Sequence, residues 1–194
     1  MSSQGPLYPG TAADDAGVGT VVWSNPSNAT TENDTAAIAD IASPGTISHY
    51  LKVTNYGFSI PTGATIDGIV VEVRQVSSNV IIDNRVRIVK AGTIGATDRA
   101  NTNYWDAVWT YVTYGSTTDL WGETWTAAQI NASDFGAAIA VTDDTVSAGT
   151  AHCDTIRITV YYTVSSSPGT YNWFSDFKFP HDAHVERRNR NHLG

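Results

Sequence analysis

The chain has 194 residues, 15% of them charged and 41% hydrophobic, with a formal net charge of −8. That length suits one domain, or one domain with an appendage. The acidic balance excludes a general nucleic-acid binder, which needs Lys and Arg against phosphate. A single cysteine, Cys153, excludes an intrachain disulfide.

Threonine, serine, asparagine and glycine supply the polarity, and Val, Ile, Tyr and Trp favour strands over long helices. Residues 1–19, rich in Gly, Pro, Ala and Asp, read as an extended N-terminal arm. TVVWSNP reads as a short strand ended by Pro26, SNATTENDT as a polar loop, and TAAIADI as a weak strand stopped by SPG. ISHYLKVTNYGFSI alternates, and PTG then turns the chain, with Gly63 free to take a positive φ. In ATIDGIVVEVRQV, Ile69, Val71 and Val73 point one way while Val70, Glu72 and Arg74 point the other, as in a half-buried antiparallel strand. VIIDNRVRIVKAG sets Val86, Ile88 and Lys90 against Arg85, Arg87 and Val89 and is expected in the same sheet.

An aromatic region follows, NYWDAVWTYVTYGSTTDLWGETW, and then TAAQINASDFG, which reads as one helical turn capped by Thr126. FGAAIAVTDD and DTIRITVYYTV are strands, the second alternating Ile156, Ile158, Val160 and Tyr162 with Arg157, Thr159, Tyr161 and Thr163. About eight strands with irregular turns predict an all-β fold: a two-sheet antiparallel β-sandwich of jelly-roll type, with an immunoglobulin-like sandwich as the alternative. The body is expected over 20–164, flanked by extended N- and C-terminal arms. SSSPG breaks the pattern at 165–169 and opens a C-terminal docking tail, 165–194.

Catalysis finds little support in these residues. His152 neighbours Cys153, but adjacent strand residues face opposite ways. The chain carries no G-x-S-x-G elbow, phosphate loop or dinucleotide fingerprint. HDAHVE in the tail places His181, His184 and Glu186 together, yet a metal site needs rigid support that a coreless segment lacks. Asp14–Asp15 and Asp143–Asp144 lack the loop spacing of an EF-hand, so no metal or cofactor is expected. Trp105 and Trp109 are the candidate glycan-binding residues, with one or the other placed nearer a rim. Trp121 and Trp125 are expected in the core, because large rings fill a sandwich.

The tail differs from the body. Between Ser165 and Gly194 it carries Lys178, Arg187, Arg188 and Arg190 against Asp176, Asp182 and Glu186, a balance of +1 that leaves −9 on the remainder. Tyr171, Trp173, Phe174, Phe177 and Phe179 form an apolar run too short to fold alone, which in water would be an adhesive patch. Tyr171, Trp173, Phe177 and Phe179 share strand parity. The run therefore reads as a strap that adds to a neighbour's sheet edge, with Arg187, Arg188 and Arg190 meeting acidic surface.

FSIPTGATIDGIVVEV, LWGETWTAAQINASDFG and CDTIRITVYYT, in that order, resemble β-sandwich structural proteins of tailed phages and environmental viral genomes, over about residues 8–163. The resemblance implies a virion structural component rather than an enzyme, and carries over no ligand or catalytic residues. The expected function is capsid decoration or cement, with the chain made in the host cytoplasm and working in the virion. Its partners would be other copies of itself, as a homo-oligomer, or a capsid or tail protein, with no nucleic acid and no membrane. A tail or fibre component, or a carbohydrate-binding module using the Trp/Tyr region, are the alternatives. No apolar run approaches the roughly 18 residues of a spanning helix, and MSSQGPLYPG lacks the regions of a secretory leader.

Overall fold

The computed structural model describes residues 1–77, 80–143 and 148–165. They form ten strands and one short α-helix. In chain order these are β1 (Ser2–Leu7), β2 (Thr11–Asp15), β3 (Ala37–Ile41), β4 (Tyr50–Thr54), β5 (Thr65–Val76), β6 (Ile81–Lys90), β7 (Thr93–Ile94), β8 (Thr110–Ser116), α1 (Ala127–Asn131), β9 (Gly136–Asp143) and β10 (Gly149–Thr163). The first sheet runs β1–β10–β5–β8, with β3 also on β10; the second runs β2–β4–β9–β6–β7. All the strand pairs are antiparallel. Strands β3, β10, β5 and β8 against β4, β9, β6 and β7 reproduce the paired Greek keys of a jelly roll.

The alternation read in the sequence builds the core. Ile69, Val71 and Val73 of β5 lie opposite Val160, Ile158 and Ile156 of β10, and all six are buried. From the other sheet, Leu51 and Val53 of β4 and Val86 and Ile88 of β6 flank Ile139 and Ala137 of β9. Trp23, Trp121 and Phe135 join the same cluster. Each such large side chain contributes on the order of 1.5–3 kcal/mol by leaving water. Gly136 lies so close to β4 that a Cβ there would stand 1.9 Å from the Val53 carbonyl oxygen. Gly63 takes the positive φ expected of it, at 80°. Thr126 caps α1 through a full capping box with Gln129.

Three segments differ from the sequence reading. β6 was expected beside β5, but the chain crosses to the opposite sheet after Ser77, and β6 pairs with β9. Alternation says which side chains share a face, not which sheet the strand joins. TVVWSNP is not a strand; single bridges from Val21 to Ser48 and from Ser24 to Ile38 hold it. Trp23 is buried there, and its Nε1 donates to the His49 carbonyl at 2.9 Å. Residues 1–19 are extended, but they are built into the body: β1 pairs with β10 and β2 with β4, one strand in each sheet.

β10 organises one edge. Its Gly149–Cys153 stretch pairs with β3, while its far end pairs with β1, with Ser2 opposite Tyr162.

Candidate functional site

The outward positions of β5, β8 and β10 carry most of the chemistry. Glu72 and Arg157 are register partners, and the guanidinium forks onto the carboxylate with two 3.0 Å hydrogen bonds. The same guanidinium lies 3.7 Å from the Tyr111 ring centroid. The Tyr111 hydroxyl donates to Glu32 at 2.8 Å, and Tyr8 donates to the same oxygen at 2.7 Å. These two tyrosine hydrogen bonds hold the Glu32 carboxyl below its ordinary range, with Arg74 and Arg157 adding to the effect. Burial, and then the bond to Glu32, push the Tyr111 hydroxyl up.

Arg74 is the second centre. Its Nη1 donates to Asp154 and, at 2.6 Å, to Asp34; its Nε lies 3.5 Å from Glu32. Its guanidinium lies 4.9 Å from the Trp109 ring centroid. Asp154 is fully buried, and its other oxygen accepts from the Asn33 amide at 3.2 Å. Loop 30–36 and the N-terminal segment are thus tied to the sheet by ionic and aromatic contacts.

Beside this network lies a groove of about 630 Å³, lined by Val76, Ser77, Ala107, Trp109, Thr150 and His152. Val76 and His152 are register partners, and Thr150 follows on the same side of β10. Trp109 is half-buried, and the loop before it exposes Tyr104 (46%) and Val108 (68%). The lining thus combines an aromatic ring with an imidazole and the Thr150 hydroxyl, which donates to Asp40 at 3.2 Å.

Trp105 corrects the sequence reading. It is 1% exposed, and its Nε1 donates to Asp83 at 2.9 Å, so it belongs to the core and has no face to offer a sugar. Tyr114 donates to the other Asp83 oxygen at 2.8 Å, and the Asn101 amide at 3.1 Å. Trp109 is left as the ring of that pair that borders the groove. Trp121 is fully buried, and Trp125 packs edge-on against Phe135 at 5.3 Å.

Other reactive types serve the fold. Cys153 is buried, and burial pushes its thiol pKa well up, away from a nucleophilic thiolate. Asp14 accepts from the Trp23 amide at 2.8 Å and pairs with His49 Nδ1 at 2.7 Å; Asp15 pairs with Lys52 at 3.1 Å. Among the described residues no three His, Cys, Asp or Glu side chains gather as a metal site. Tyr171, Trp173, Phe174, Phe177, Phe179, Arg187, Arg188 and Arg190 lie outside the described residues, as do His181, His184 and Glu186.

Sequence reasoning missed Arg74, Arg157, Glu32 and Tyr8 as a cluster. The one local signal was charge at outward strand positions. Their pairing spans long stretches of sequence, 85 residues from Glu72 to Arg157 and 79 from Glu32 to Tyr111, and appears only with the strand register.

The chain matches no family model and no curated protein. Solved structures overlap it loosely. A CBM4 structure shares 16% identity over 76% of this chain and 92% of its own, with a TM-score of 0.38. TmCBM61, in complex with β-1,4-galactotriose, shares 11% over 76% and 86%, at 0.36. The xylan-binding module CBM15 shares 13% over 82% and 94%, at 0.35. The sandwich assignment itself rests on this chain's own two sheets.

Proposed function

We propose that this protein is a non-catalytic β-sandwich that binds carbohydrate in the groove beside Trp109. One observation carries the reading: a half-buried tryptophan, braced by the Arg74 guanidinium, borders a groove whose floor offers Thr150 and His152. A sugar ring has an apolar C–H face and a hydroxyl rim. An indole takes the first, and hydroxyl and imidazole groups take the second. The groove volume lies within the range of small-ligand sites, roughly 300–1,000 Å³. Arg74 holds the ring in place before any ligand arrives, which lowers the ordering cost of binding.

The test is a glycan array probed with the full chain, followed by calorimetry on any hit. Trp109→Ala should weaken binding by about thirtyfold or more, the scale of a buried aromatic anchor. Trp105→Phe should leave affinity unchanged and lower stability only. Binding that survives Trp109→Ala, or an array with no hits, sinks the reading.

A second reading, virion structural protein, is favoured by the tail composition and by the viral resemblance of the body segments. In it the sandwich is a stiff block of a particle surface, most directly capsid decoration or cement, with a tail or fibre part as the other place. Self-association through Tyr171, Trp173, Phe177 and Phe179 would make the full chain elute larger than a truncation ending at Val164. Identical monomeric elution, with no particle protein captured by the tail, would remove it.

A further inference from the structure

The outer face of the second sheet carries a separate pocket. β9 turns Ala138 and Ala140 outward there, and both are buried beneath neighbouring side chains. Lys52 and Arg87 are the register partners of Ala138 on its two sides. Their Cα atoms therefore stand two strand spacings apart, about 9–10 Å. They border a pocket of about 300 Å³ completed by Asp15, Gly17, Tyr50, Gly92 and Ile94.

Lys52 is paired with a carboxylate of the pocket lining and Arg87 with one beside it, and both keep donors in reserve. Lys52 gives one bond to Asp15, which also accepts from the Gly17 amide at 3.1 Å. Arg87 gives Nε to Asp98 at 3.2 Å and reaches the Gly95 carbonyl at 3.5 Å. Asp98 is further occupied by the Val86 amide at 3.0 Å and by Arg85 at 3.4 Å. A lysine carries three N–H donors and an arginine five, so both have donors left for a ligand. Tyr50 also lines the pocket, and its ring is packed against the sheet with the residue only 5% exposed.

We propose that this pocket binds a carboxylate-bearing ligand about the size of one sugar ring, such as a uronic acid. The carboxylate lies between Lys52 and Arg87, with the Tyr50 hydroxyl as a further donor. Ile94 offers an apolar side to the ring. Asp15 at the border disfavours a dianion. The pocket lies on the sheet opposite Trp109, and the proposal does not depend on the groove there.

The test is calorimetric titration of the full chain at low salt with glucuronate, methyl glucoside and acetate. Glucuronate should bind, and methyl glucoside should not. Lys52→Met and Arg87→Met should each weaken binding about tenfold, as expected for losing a charge-assisted contact. Tyr50→Phe, which keeps the packed ring, should weaken it by a smaller factor, and the same ranking should hold in a Trp109→Ala background, where the groove no longer contributes. Added salt should weaken it, since part of the attraction is screened. Acetate binding as tightly as glucuronate would overturn the sugar-sized ligand, since the ring would then add nothing to the carboxylate. No binding of either acid, equal binding of glucuronate and methyl glucoside, or affinity unmoved by both cation replacements in folded variants would overturn it.

Discussion

Replacing Arg74 by methionine is expected to destabilise the protein by about 3–5 kcal/mol, the cost of leaving a buried carboxylate without its cation. The cost falls at Asp154. That side chain is fully buried and keeps only the Asn33 amide once the guanidinium is gone. Asp34 is 64% exposed and Glu32 37%, so water takes over for both, and their share is small. Arg74→Lys should not rescue, because one ammonium cannot serve both carboxylates and lie flat on Trp109. Arg74→Met with Asp154→Leu should recover most of the loss, since both charges leave together. Urea unfolding measures all three. The single variant's midpoint temperature should fall by roughly 6–20 °C. A change under about 1 kcal/mol would mean that the pair does not hold loop 30–36 to the sheet.

Asp83→Ala is the second large effect, expected at about 3–4 kcal/mol, because it orphans two buried donors and one half-buried donor at once. Trp105 Nε1, the Tyr114 hydroxyl and the Asn101 amide all converge on this carboxylate. Its pH dependence has a definite sign. Burial pushes the Asp83 pKa up, and the bonds from Trp105, Asn101 and Tyr114 oppose that push without cancelling it. The folded protein therefore binds this proton more tightly than the unfolded chain, whose value is about 3.9. The stability from that difference is fully present below the unfolded pKa and is lost as pH rises through the folded one. Asn at this position does not titrate. Asp83→Asn should therefore cost more in acid than at neutral pH, read as the gap between urea midpoints at the two ends of a pH series. A gap that widens toward neutral pH would contradict the raised pKa.

What the sequence makes legible follows from where signal is local. β5 over 69–73 and β10 over 156–160 place alternate residues on the core, and those inward residues read correctly. The cap at Thr126 is a four-residue pattern and reads equally well. β1 and β2 give no such signal: both lie at sheet edges with their side chains largely exposed or half-buried, so SSQGPL and TAADD need no apolar alternation. Their place is set by backbone hydrogen bonds to β10 and β4, which composition cannot announce. Trp105 and Trp109 look alike in sequence, four residues apart in one aromatic stretch. One is buried because Asp83, twenty-two residues earlier, accepts its indole proton; the other is half-open because its neighbour is a guanidinium on an outer face. The candidate ring is thus readable from the chain, and the choice between the two rings is not.

The pairing of Ser2 with Tyr162 has a mechanical meaning. The start of β1 and the end of β10 lie side by side at one pole, while Thr150 and His152 lie at the other end of the same strand. Twelve residues of extended chain separate Thr150 from Tyr162, roughly 40 Å. Whatever grips this molecule at Ser2 and Tyr162 would hold the Trp109 side aloft, like a lamp on a post. Tension on those ends would open the β1–β10 seam like a zipper, one rung at a time, rather than shear it.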